Sequence, residues 1–142
     1  MPFGYSLMID MYGCDSIALD SMECHYRLME DMVYLLGMTP MAPPICIHAP
    51  IKFIKCDKRY NKYEFIKVES FPDKAGISIW QPLVESGIQQ HSCSPTKFST
   101  IDIYSCNNFK DKIPVLKDIL YDNFKFTDYE ENFVIRGQKY GT

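Results

Sequence analysis

Residues 76–106 read GISIWQPLVESGIQQHSCSPTKFSTIDIYSC. The run Ile77 to Val84 is apolar and strand-like, bounded upstream by Gly76, and Pro82 predicts that it is an edge strand or carries a bulge. Phe98 to Ser105 alternates apolar and polar residues, the period of a strand with one buried face. A turn after Ser92 would lay two strands side by side. On that reading Ser78, Ser86, His91 and Cys106 converge, although they are spread over 28 positions.

The flanking sequence extends this pattern in both directions. Leu7 to Tyr12 predicts a short strand ending at Gly13. Asp15 or Ser16 can cap a helix running to about Leu36, with Ile17, Met22, Met29, Met32, Val33 and Leu36 recurring at three- and four-residue steps. Gly37 suits its C-terminal cap, and Pro40 forbids continuation. Ile45 to Ile54 and Tyr63 to Val68 predict a hairpin across a polar, basic link. Phe71 to Gly76 reads as a loop, and Lys110 to Phe124 as a helix with Ile113, Leu116, Ile119 and Leu120 inward. Asn132 to Arg136 is a last strand. This order predicts one α+β domain over 1–142, a two-layer α/β sandwich with a mainly antiparallel sheet, both helices packing on one face.

The bulk numbers exclude several classes of function. At 46% hydrophobic and 14% aromatic, the 142-residue chain can build a core without staples. A net charge of -3 argues against a broad nucleic-acid surface. No apolar run approaches the roughly 20 residues that span a bilayer. Met1 to Tyr5 lacks the pattern of a secretory signal, so a cytoplasmic location is expected. The cysteines at 14, 24, 46, 56, 93 and 106 form no Cys-x-x-Cys pair, and no metal site is expected.

With these elements in place, the Gly76–Cys106 window resembles the central segment of the small prokaryotic-type S-adenosylmethionine decarboxylases. In that family a Gly-x-Ser strand leads to a Glu-Ser dipeptide, with a His five residues beyond the Ser and a Cys fifteen beyond the His; Ser78, Glu85, Ser86, His91 and Cys106 match. Gly4 to Asp15 is similar to the family's opening strand, and Ile101 to Cys106 to its Val-Asp-hydrophobic-aromatic-Thr-Cys run. The likeness covers most of the chain, with an inserted hairpin around 45–66.

The resemblance implies a proenzyme that cleaves itself between Glu85 and Ser86 and turns Ser86 into a pyruvoyl group. That group condenses with a substrate amine and draws off electrons as carbon dioxide leaves. Ser78 and His91 would assist processing, and Cys106 would return a proton to the product. The family also implies a small-molecule substrate and a homodimer with active sites near the interface. Phe71, Glu85 and Asp10 are the candidate substrate contacts. The chain departs from the family pattern at several positions: Gly87 replaces a His after the serine, Cys93 a Trp, Pro95 the acid that holds the ribose hydroxyls, and Gly13 one acid of a pair whose other member is Asp10. Three functions therefore follow: decarboxylation of S-adenosylmethionine, decarboxylation of arginine or ornithine by the same chemistry, or a non-processing homologue that regulates an active partner.

Overall fold

A computed structural model describes residues 1–49, 52–57, 64–70 and 75–142. Strand β1 (Gly4–Tyr12) is followed by helices α1 (Ser16–Leu19) and α2 (Met22–Leu36), then by β2 (Ile45–Ala49), β3 (Lys52–Asp57) and β4 (Glu64–Ser70). The chain continues through β5 (Gly76–Pro82), β6 (Ser86–Cys93), β7 (Phe98–Ser105), α3 (Ile113–Phe124) and β8 (Asp128–Arg136). Six strands form one sheet in the order β2-β5-β6-β7-β1-β8, each neighbouring pair antiparallel. Strand alternation gives the sheet a greasy face, which α2 and α3 cover. Leu7, Ile9, Ile88, Ile101 and Ile103 meet Leu28, Met29, Met32, Leu116 and Leu120 in one buried cluster. The opposite face of the sheet carries no helix among the described residues, so the α+β two-layer sandwich is as the sequence predicts.

The single helix expected from residue 16 to 36 is two helices. Asp15 caps the first, its carboxylate accepting from the Ile17 amide at 3.0 Å. The Ser21 hydroxyl then accepts from the Cys24 amide at 3.1 Å and caps the start of a second helix. This break turns Ile17 outward, 81% exposed, and leaves Met22 at 37%, whereas an unbroken periodicity would have buried both. Gly37 ends α2 as expected: its φ of 64° lets its amide reach the Tyr34 carbonyl while the Met38 amide reaches that of Val33.

The expected strand over 45–54 is also two. β2 joins the main sheet through β5, while β3 pairs with β4 in a separate two-stranded sheet. Proline 50 lies in the sequence between them and offers no amide to a ladder. β5 is an interior strand; Pro82 is tolerated because it is the strand's last residue, where its carbonyl accepts from the Met41 amide at 3.1 Å. The last strand begins at Asp128, four residues ahead of the expected start, and β6 forms over a stretch whose polar residues gave no strand signal.

Candidate active site

The turn from β5 to β6 places Glu85 and Ser86. The Leu83 amide donates to the Ser86 carbonyl at 2.8 Å and the Ser86 amide to the Leu83 carbonyl at 3.2 Å, closing a tight hairpin. Ser86 opens β6 opposite Ser105, the last residue of β7. Cys106, the next residue, donates its amide to the Glu85 carbonyl oxygen at 3.2 Å. The peptide carbonyl that precedes Ser86 is therefore already polarised by a backbone N–H. The Ser86 hydroxyl is buried and has no hydrogen-bond partner. An orphan buried hydroxyl costs about 1–3 kcal/mol, so its presence calls for a chemical reason.

The Glu85 carboxylate turns away from Ser86. It accepts from the Thr39 amide at 2.8 Å, and this hydrogen bond holds its pKa below the usual carboxylate range. Cys106 is exposed beside this turn. These groups make one half of the candidate site.

The other half lies further along the same strand. Ser78 on β5 is the register partner of His91 on β6, and the Ser78 hydroxyl lies 2.7 Å from His91 Nδ1. Cys93 Sγ lies 3.5 Å from His91 Nε2, so both ring nitrogens have a polar neighbour. Ser86 and His91 are five residues apart on an extended strand, a distance of about 17 Å. They also face opposite ways. Ile88, Gln90 and Ser92 are buried under the helices and Ser86 shares their side, while Gln89 and His91 are exposed on the open face. The expected convergence of all four residues is thus half met within one chain: Ser78 joins His91, and Cys106 joins Ser86.

Asp10 lies on the open face in the same cross-strand row as His91. It is the register partner of Thr100, which is the partner of His91. Asp102 and Glu130 share its pocket. Burial, with Asp10 nearby, raises the Asp102 pKa. Pro95 is the middle residue of a 3-10 turn, Ser94–Thr96, just beyond the His91 end of β6. The candidate contact Phe71 lies outside the described residues.

Several neighbours of the site escape sequence reasoning. Trp80 is half-exposed on the open face, and its indole nitrogen sits 3.2 Å from where a side chain on Gly87 would begin. A larger residue after Ser86 would have to displace that ring. Beneath the sheet, His25 on α2 is fully buried. Its Nδ1 lies 2.7 Å from the Ser21 carbonyl, which can only accept, so Nδ1 carries the proton and Nε2 accepts from the Ser92 hydroxyl at 2.7 Å. Ser92 touches Ser99 at 2.9 Å, and Ser99 donates to the backbone carbonyl of His91 at 3.2 Å. The Gln90 amide joins at Ser99, 3.0 Å away. Only the antiparallel register of β6 and β7 unites these groups; their spacing carries no signal alone.

The six-stranded antiparallel sheet with its helices on one face matches the S-adenosylmethionine decarboxylase-like fold of a solved structure. Among solved structures, the chain is similar to the adenosylmethionine decarboxylase from Aquifex aeolicus VF5, with a TM-score of 0.68 and 18% sequence identity. The match covers 96% of this chain and 92% of that one. No family model matches the sequence. No curated protein matches it either. Among the described residues no helix is long and apolar enough to cross a membrane.

Proposed function

We propose that the chain is a proenzyme that cleaves itself between Glu85 and Ser86 and then works as a pyruvoyl-dependent decarboxylase, with S-adenosylmethionine as its substrate. One observation carries this reading: an unpartnered Ser86 hydroxyl follows a carbonyl that the Cys106 amide already polarises.

That pairing suits an acyl shift. The Ser86 Oγ–carbonyl bond forms as the Glu85–Ser86 C–N bond breaks, and the hydroxyl proton passes to the Ser86 nitrogen. Negative charge that develops on the Glu85 oxygen meets the Cys106 N–H, a donor already aimed at it. Loss of the Ser86 α-proton then breaks the Cβ–Oγ bond and releases the Glu85 carboxylate at the end of residues 1–85. Water addition and loss of ammonia leave a pyruvoyl group on residues 86–142. The residues present fit that group, which supplies an electron sink for loss of carbon dioxide. The exposed Cys106 thiol, on the residue whose amide reaches the Glu85 carbonyl, is suited to return a proton.

The α-proton needs a base, and His91 of the same chain is about 17 Å away along β6. We therefore take the working form to be a homodimer in which His91 and Ser78 of one copy serve Ser86 of the other.

Intact mass decides the first step. Two fragments, residues 1–85 and 86–142, with the second blocked by a ketone, support the reading. A chain that stays whole after long incubation refutes it and favours a regulatory homologue. Carbon dioxide release from labelled S-adenosylmethionine, arginine and ornithine then decides the substrate. The basic amino acids are the second choice because Pro95 stands where a ribose-binding acid would be.

A further inference from the structure

We infer that Cys93, with His91 and Ser78, is an activated thiol that small hydroperoxides oxidise to a sulfenic acid, and that this oxidation withholds His91 from self-cleavage. Strand register builds the group. His91 and Cys93 are two residues apart on β6 and face the same side, and Cys93 Sγ lies 3.5 Å from His91 Nε2. Ser78, the register partner of His91 on β5, has its hydroxyl 2.7 Å from Nδ1. With Nδ1–H donating to Ser78, the Nε2 lone pair is left facing the thiol. A nucleophile, a base within reach of its proton and a third group that orients the base are together the parts of an activated thiol.

The other cysteines lack this setting. Burial pushes the Cys14 thiol up to about 11 and raises those of Cys24 and Cys46, which disfavours the reactive thiolate. Among the described residues no other cysteine has a hydrogen-bonded imidazole, the exposed Cys106 included. Position also selects the reagent. Cys93 is 9% exposed, while His91 beside it is exposed. Its cross-strand neighbours are Gly76, which brings no side chain, and Phe98. A peroxide little larger than water can reach such a sulfur past the imidazole, whereas a bulky disulfide cannot dock on it.

The step is a two-electron transfer. His91 Nε2 takes the thiol proton, and the thiolate attacks one peroxide oxygen. The S–O bond forms as the O–O bond breaks, and the imidazolium returns its proton to the leaving hydroxide as water. Sulfur is oxidised and the peroxide reduced. The oxygen gained by sulfur carries an O–H beside Nε2, a stronger donor to that nitrogen than the weak S–H it replaces. The imidazole lone pair is then engaged. The consequence rests on the self-cleavage reading, in which His91 is the base that takes the Ser86 α-proton: with Nε2 engaged, that transfer stalls.

Reactivity is read first on the uncleavable Ser86→Ala chain, so it does not depend on whether the protein processes itself. The folded chain meets equimolar hydrogen peroxide, is unfolded in dimedone to trap sulfenic acid, and is mapped by peptide mass. Cys93 should be oxidised at least about tenfold faster than Cys106. His91→Gln should remove that preference. A bulky aromatic disulfide, dithiobis(nitrobenzoate), should reverse it and label Cys106 first. Cleavage is read next, in refolding chains that carry Cys106→Ala. Peroxide should slow it about tenfold or more, and a further Cys93→Ser change should give a rate that peroxide does not alter. Oxidation led by another cysteine, or a Cys93 preference that persists in His91→Gln, overturns the activated thiol. Oxidised Cys93 in a chain that cleaves at its former rate overturns the control of cleavage. A wild-type chain that never cleaves refutes the decarboxylase reading instead, and the mapping on Ser86→Ala still decides whether Cys93 is the activated thiol.

Discussion

The amide of Cys106 reaches the carbonyl oxygen of Glu85 at 3.2 Å, so a residue that follows β7 braces the peptide bond that precedes β6. The contact belongs to the backbone, and the Cys106 thiol is free for a different task. Cys106→Ala should therefore leave self-cleavage within about twofold while turnover falls by about 10²-fold or more. Cys106→Pro, which deletes the donor, should slow cleavage itself. Gel densitometry over time and carbon dioxide release separate the two effects. Equal loss of cleavage in both variants would contradict the division of roles.

Ser86→Ala should abolish cleavage and activity together, since alanine offers no nucleophile. Ser86→Cys should still cleave, more slowly, because a thiol can form the thioester. Intact mass after refolding reads both outcomes. Cleavage of the alanine chain at the same bond would mean that another residue attacks it.

The separation of Ser86 and His91 makes a complementation experiment informative. Ser86→Ala and His91→Ala chains, each alone, should stay whole. Mixed or co-expressed, the His91→Ala chain should be cut at Glu85–Ser86, because its partner supplies the imidazole, while the Ser86→Ala chain stays intact. Distinct affinity tags identify the fragments by mass. A mixture in which neither chain is cut would rule out sharing of the site between copies.

His25 predicts an acid-labile fold. Burial lowers its pKa from 6.5, because the protonated ring would be charged under the helices. Below 6.5 the unfolded chain binds a proton that the folded chain refuses, so this group's stabilisation is complete above pH 6.5 and is lost as pH falls beneath it. The Asp20–His48 pair nearby adds opposing fields: Asp20 favours the charged ring and His48 disfavours it. His25→Leu should cost about 1–3 kcal/mol at neutral pH by cutting the bonds to Ser21 and Ser92, and should flatten the decline between pH 7 and 5. Urea unfolding across that range is the measurement. An identical slope in wild type and variant would show that His25 does not set it.

Gly76→Ala should destabilise the fold by about 3 kcal/mol or more. An added Cβ would lie 1.7 Å from the Ser92 carbonyl oxygen, in the ladder that joins β5 to β6. By contrast, Gly37→Ala meets open space and bears only the strain of its left-handed backbone, about 1 kcal/mol. Thermal unfolding of the two variants should rank them in that order.

Local chemistry was enough to place several elements. The Gly37 cap, the helix that ends at Phe124, the strand from Phe98 to Ser105 and the spacing Ser78, Ser86, His91 and Cys106 depend on neighbours a few residues apart, and propensity and periodicity record such relations. The break at Ser21 was also written in local residues, but a continuous apolar periodicity hid it. Only tertiary structure decided which strands pair. Strand alternation, once the register is set, puts Ser86 and His91 on opposite faces, and strand rise holds them about 17 Å apart. The Glu85–Thr39, Glu85–Cys106 and His25–Ser92 contacts span 46, 21 and 67 residues, and no period in a sequence reports contacts at such separations. They exist because burial of one sheet face under two helices selects a single register, and every polar neighbour of the candidate site follows from it.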